Sequence, residues 1–117
     1  AGIRPKIYGD GSNVRDWIYV DDHTDGIWAV LDRGVIGETY LLGASNEISN
    51  LNLVRDILQI MGLGEDFIEF VEDRPGHDRR YAINASKAIK TLGWAPDNSR
   101  FPSQLESTVK SYLISVP

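Results

Sequence analysis

A chain of 117 residues, 42% hydrophobic and 25% charged with a net charge of −5, fits one domain with a modest core. The acidic balance argues against nucleic acid or a membrane surface as the main ligand, and the longest apolar run, residues 27–31, is far short of a membrane span. Without cysteine there are no disulfides or thiolate metal sites, which suits a cytoplasmic protein; no signal peptide is visible, and a start at Ala1 without Met suggests a fragment boundary.

Taken in order, residues 4–8 read as a short extended segment and residues 9–13 as a turn. Residues 14–20 are rich in β-branched and aromatic side chains and predict a strand. Gly9-x-Gly11 is not a dinucleotide fingerprint, because Val14 stands where the third glycine belongs and a strand follows instead of a helix. Asp22 is placed to cap a helix ending near Arg33, with Ile27, Trp28, Val30 and Leu31 on its apolar face and Gly34 beyond it. Gly26 inside that helix costs about 1 kcal/mol relative to Ala. Asp21, Asp22, His23 and Asp25 are explained more simply by capping and the helix dipole than by a metal.

Residues 38–42 read as a short strand and residues 44–49 as a polar loop. A helix follows over 50–61, with Leu53, Val54, Ile57, Leu58 and Met61 on its core stripe. Residues 67–71 form a strand, and residues 85–92 a short helix stopped by Gly93. A last helix opens on a capping box from Ser103 to Glu106 and buries Leu105, Val109, Tyr112, Leu113 and Val116. The alternation predicts an α/β fold with some parallel pairing. Four amphipathic helices against three or four short strands also predict apolar surface left uncovered.

The chemistry concentrates in residues 72–81, which hold Arg74, Arg79, Arg80 and His77 around the turn dipeptide Pro75-Gly76. Guanidinium groups grip phosphate in a bidentate fork, so the stretch reads as a phosphate or diphosphate site. The competing reading is a surface loop in which Asp73 and Asp78 neutralise the arginines.

The run from Asp73 through Arg74-Pro75-Gly76-His77-Asp78-Arg79-Arg80-Tyr81 to Lys87 resembles a segment of the dTDP-glucose 4,6-dehydratases. These enzymes belong to the extended short-chain dehydrogenase/reductase superfamily. The block from Tyr8 through Val14-Arg15-Asp16-Trp17 to His23 resembles a second segment, one shared with sugar-nucleotide epimerases and decarboxylases. The likeness covers essentially the whole chain.

The resemblance implies an enzyme that converts dTDP-glucose to its 4-keto-6-deoxy product with bound NAD. That enzyme would be cytoplasmic and homodimeric, with an N-terminal Rossmann domain. The chain would then be a single C-terminal nucleotide-sugar-binding domain spanning residues 1–117, without the Rossmann half, inactive alone and binding no NAD. No glycine-rich loop opens a helix, and none of Tyr8, Tyr19, Tyr40, Tyr81 and Tyr112 has Lys four residues later.

By the same resemblance Tyr8 lies against the thymine ring, Arg15 and Arg74 hold the diphosphate, Asn50 contacts the ligand nearby, and His77 neighbours that pocket. Each has a plainer alternative. Tyr8 could be a strand-end surface aromatic, Arg15 could pair with Asp10 or Asp16, and Asn50 could cap its helix. Lys6 stands where relatives often carry Pro, which weakens the likeness at the base-side wall. Two other readings stay open: a lobe of a sugar-nucleotide epimerase or decarboxylase, and a non-catalytic nucleotide-sugar-binding module.

Overall fold

The computed structural model describes residues 2–115, a mixed α/β arrangement with two small sheets. Strand β1 (Lys6–Tyr8) pairs in parallel with β4 (Glu69–Val71), with Ile7 opposite Phe70. Strand β2 (Val14–Asp16) pairs antiparallel with β3 (Glu47–Ser49), with Arg15 opposite Ile48. Helices α1 (Val20–Arg33), α2 (Asn50–Ile60), α3 (Ser86–Leu92) and α4 (Phe101–Ser115) complete the fold. None of them is long and apolar enough to cross a membrane.

Two separate cores form. Ile7 of β1, Leu58 of α2 and Ile68 make one, with Leu51, Val54 and Phe67 against it. Ala29 of α1, Ala85, Ala88 and Leu92 of α3, and Trp94 make the other, flanked by Ile18, Val30, Tyr40 and Leu42. Trp94 is 5% exposed, and its indole N–H donates to the Asp22 carbonyl at 2.9 Å.

Several sequence expectations are corrected. The strand over 14–20 stops at Asp16, because β3 offers only three residues to pair with. Trp17 then turns away, its amide donating to Asn46 O at 3.0 Å and its indole to Ile48 O at 3.2 Å. Helix α1 starts at Val20, with Tyr19 as the preceding cap residue. Asp22 therefore lies inside the first turn, where its carboxylate accepts from Gln104 Nε2 at 3.1 Å. Residues 38–42 form no strand, since no ladder among the described residues reaches them, and Tyr40 and Leu42 pack on the second core instead. Conversely, part of the expected polar loop is β3.

The helix-forming stripes were only partly core. Helix α1 buries Gly26 and Ala29 and leaves Ile27, Trp28 and Leu31 exposed. A Cβ on Gly26 would stand 2.9 Å from the Trp94 ring, so this glycine is the seat of the tryptophan. Met61 ends α2 exposed. The capping box does not form, because α4 begins at Phe101, directly after a 3₁₀ turn at Asn98–Arg100 that Asp97 caps through Ser99 N. Ser103 then lies within the helix and donates to Arg100 O at 2.8 Å. Helix α4 buries Gln104 and Val109, leaves Tyr112 and Leu113 exposed, and the expectation for Val116 falls outside the described residues.

Candidate functional site

The site is assembled where the 9–13 turn, the start of α2 and the 73–81 segment meet. The turn must reverse the chain between β1 and β2, and Gly11 does so at φ 73°, with Ile7 and Leu51 occupying the space a Cβ would need. Its carbonyls satisfy helix amides that have no intrahelical partner: Asn50 N donates to Asn13 O at 2.9 Å and Leu51 N to Gly11 O at 3.0 Å. Ser49 is the cap residue, its hydroxyl accepting from Asn52 N at 3.2 Å, so Asn50 is not the cap.

Asn13 carries the junction. It is 7% exposed, and its Nδ2 donates to Asp78 O at 2.9 Å. One residue on, Val14 N donates to Arg79 O at 2.8 Å while Tyr81 N donates back to Val14 O at 3.0 Å. These bonds form a parallel bridge between Val14 and Arg80. The basic segment is thereby fixed to β2 despite being some sixty-five residues away in the chain.

Within that segment Gly76 takes φ 69°, as the Pro-Gly turn requires, and His77 N closes the turn onto Arg74 O at 3.3 Å. The His77 side chain is 6% exposed, with Nδ1 2.7 Å from the Asp73 carboxylate. A carboxylate only accepts, so the ring's Nδ1 carries the proton. Tyr8 meets the edge of the His77 ring, with centroids 6.1 Å apart and planes at 79°.

Arg15 lies with its guanidinium 4.6 Å from the centre of the Tyr81 ring, and its Nη1 donates to Val14 O at 2.8 Å. The Tyr81 hydroxyl donates to Asp78. That bond and the Asp78 charge raise the phenol above its ordinary range, while the charges of Arg15 and Arg74 work in the opposite sense.

The nearby acids are engaged elsewhere. Asp10 accepts from the amide and hydroxyl of Ser12, which hold its carboxyl below the ordinary range. Asp16 accepts from Ser45 N at 3.3 Å and Asn46 N at 2.9 Å. Asp73 serves His77 and Arg74 N. Of the arginines in the basic run only Arg80 takes an acid partner among the described residues, Glu47 of β3, which pulls the Glu47 carboxyl down and pushes the guanidinium up. Among the described residues Arg15, Arg74 and Arg79 form no ion pair. Among the described residues no ion pair joins Arg15 to Asp10 or Asp16, or Arg74 and Arg79 to Asp73 or Asp78.

The expected residues are divided between two openings. A cleft of about 620 Å³ is lined by Arg74, His77 and Arg79 together with Asp10, Asn13 and Asp73. A smaller one of about 230 Å³ is lined by Tyr8 and Asn50 with Lys6 and Trp17. Tyr8 links them, lining the smaller while touching His77 of the larger. Arg15 lines neither and joins the group through Tyr81. Sequence reasoning passed over Asn13 and Tyr81. The only sign of them was adjacency, Asn13 to the strand that carries Arg15 and Tyr81 to the basic run.

The arrangement offers an aromatic face, an amide and cations without carboxylate partners, which suits an anionic ligand bearing a ring. It holds no paired base and nucleophile. Nor do these residues fit NAD: the Gly9–Gly11 turn runs into β2 rather than a helix, and Ile7 and Leu51 fill the space over Gly11.

The profile of the GDP-mannose 4,6 dehydratase family matches residues 1–107. The dTDP-glucose 4,6-dehydratase of Mycolicibacterium smegmatis is 50% identical over 112 residues, covering 96% of this chain and 34% of its own length. The dTDP-glucose 4,6-dehydratase of Bacillus anthracis, solved in complex with NAD, superposes with a TM-score of 0.85 at 43% identity, over 95% of this chain and 34% of that one. A UDP-glucose 4-epimerase of Thermotoga maritima, solved with UDP-glucose, gives a TM-score of 0.88 at 27% identity, over 99% of this chain and 37% of that one. The chain thus spans about a third of the length of the relatives it matches.

Proposed function

The chain belongs to the GDP-mannose 4,6 dehydratase family, and from that premise we propose that it is the nucleotide-sugar-binding portion of a dTDP-glucose 4,6-dehydratase. The whole enzyme would convert dTDP-glucose to dTDP-4-keto-6-deoxyglucose with NAD. The NAD-binding Rossmann half would come from sequence beyond these residues, in a homodimeric cytoplasmic enzyme. Residues 1–117 act as one binding domain in this reading. They anchor the nucleotide so that the hexose is held against the catalytic half, and they supply positioning rather than a chemical step.

The observation that carries the reading is the set of arginines without acid partners in a chain of net charge −5. Arg74 lines the larger cleft and Arg15 lies over the Tyr81 ring, and a guanidinium fork suits a phosphate oxyanion at either. Tyr8, half exposed at the end of β1, is available to lie against the thymine ring. Asn50, beside it in the smaller opening, offers its amide, and His77 supports Tyr8 while held by Asp73.

Calorimetric titration of dTDP and of thymidine separates the roles. Arg74→Ala is expected to weaken dTDP by about tenfold to a hundredfold, the worth of one charged hydrogen bond, and to leave thymidine nearly unchanged. Arg74→Lys recovers part of the loss, since a point charge cannot reproduce the fork. Equal losses for dTDP and thymidine would mean that Arg74 only holds its loop. The fit to the UDP-glucose 4-epimerase supports a second reading, an epimerase lobe. Tighter binding of UDP than of dTDP would favour it.

A further inference from the structure

Arg79 belongs to the basic stretch, and the competing reading paired it with nearby acids; its surroundings are those of Arg74 instead. It lines the same 620 Å³ cleft. Five other cations of the chain, Arg33, Arg55, Arg80, Lys87 and Lys110, have carboxylate partners, whereas Arg79 has none among the described residues. Its neighbour Arg80 takes Glu47 in a two-point contact, so that acid is unavailable to it. The two acids lining the cleft form no ion pair with Arg79: Asp10 accepts from the two donors of Ser12, and Asp73 from His77 Nδ1 and Arg74 N.

The backbone beneath Arg79 is fixed from both sides. Its own carbonyl accepts from Val14 N at 2.8 Å, and the preceding carbonyl accepts from the buried Asn13 side chain at 2.9 Å. A guanidinium on so anchored a base loses only side-chain freedom when it grips a ligand, which is the condition for an effective contact. Arg74 and Arg79 line one cleft and neither is held in an ion pair, so an oxyanion there can accept from both guanidiniums. A diphosphate carries more charge than one arginine can neutralise.

We propose that Arg79 grips the same diphosphate oxyanion as Arg74, making the cleft between the 9–13 turn and the 73–80 segment a two-arginine cradle. This rests on the nucleotide-sugar reading and adds to it a binding residue and the charge class of the group bound there. Its side of the contact is blind to the base, so inorganic pyrophosphate shares it with a nucleoside diphosphate.

The test titrates inorganic pyrophosphate, dTDP and thymidine into the 117-residue chain and its Arg79→Ala, Arg79→Lys and Arg80→Ala variants, with circular dichroism confirming that each is folded. Arg79→Ala should weaken pyrophosphate and dTDP alike by about tenfold to a hundredfold and leave thymidine unchanged, with Arg79→Lys in between. Arg80→Ala should stay within about twofold of the parent for every probe, because Arg80 is paired with Glu47 and lines a different opening. Arg79→Ala binding like the parent, an equal loss in Arg80→Ala, or a parent chain that binds neither pyrophosphate nor dTDP overturns the cradle. If dTDP responds to Arg74→Ala but not to Arg79→Ala, the nucleotide reading survives and this inference falls. If pyrophosphate depends on Arg79 but dTDP binds no more tightly than pyrophosphate, the cradle stands and the nucleotide reading falls.

Discussion

Where residues 9–15 meet residues 73–81, side chains and backbone are fixed by bonds that span most of the chain, such as Asn13 Nδ2 to Asp78 O and Val14 N to Arg79 O. Across α1 and the loop after it the opposite holds. Trp28 is 65% exposed, Leu31 75% and Ile36 102%, while the fourteen-residue helix buries only Gly26 and Ala29. Among the described residues the first region is an ordered polar surface with unpaired arginines, and the second leaves its apolar face exposed. The total surface, 8176 Å² for 13.1 kDa, exceeds the roughly 6,400 Å² of a compact chain of that mass, and the radius of gyration of 16.6 Å exceeds the expected ~13 Å. A sequence can therefore order a polar surface without completing its core.

The largest effect should come from the small core behind α1. Trp94→Ala is expected to cost about 3–5 kcal/mol of stability, as large aromatic truncations do, and urea unfolding measures it. Gly26→Ala crowds the same ring. The helix-propensity gain of about 1 kcal/mol is offset by overpacking of about 1–3 kcal/mol, so a net loss is expected. A stabilised Gly26→Ala variant would show that Trp94 shifts freely and that this core is loose.

The apolar face is probed by Ile27→Asp and Leu31→Lys. Both positions are exposed, so each change should move stability by no more than about 0.5 kcal/mol. Light scattering across a concentration series should show self-association of the parent chain, reduced in both variants. A strictly monomeric parent at high concentration would remove the contrast between the two regions.

The smallest effect is a titration that checks whether the two arginines converge. Tyr81 ionises above its usual range because its hydroxyl donates to Asp78, and Arg15 and Arg74 oppose that rise. Arg74→Ala should push the ionisation higher still, read as phenolate absorbance against a Tyr81→Phe reference. Because the folded pKa is raised, the stabilisation from this bond is present below the ordinary phenol value of about 10 and is lost as pH rises through the folded value. No change on removing Arg74 would separate it from Tyr81 and weaken the shared site.

Local chemistry was legible in the residues themselves. Pro75-Gly76 called for a turn with positive φ, the spacing of Leu53 and Leu58 for a helix face, and Gly93 for a helix stop, because these depend on steric and periodic rules within a few residues. The motifs around Arg15 and Arg74 were likewise enough to nominate an anion site. Whether residues 38–42 form a strand, whether Ile27 or Gly26 faces the core, and whether Asp73 neutralises an arginine or holds a histidine were settled only by the fold. The same is true of the bonds that tie Asn13 and Val14 to Asp78, Arg79 and Tyr81, which join segments far apart along the chain. A strand needs a partner ladder, a buried face needs an opposing surface, and an ion pair needs geometry. No window of sequence contains those partners.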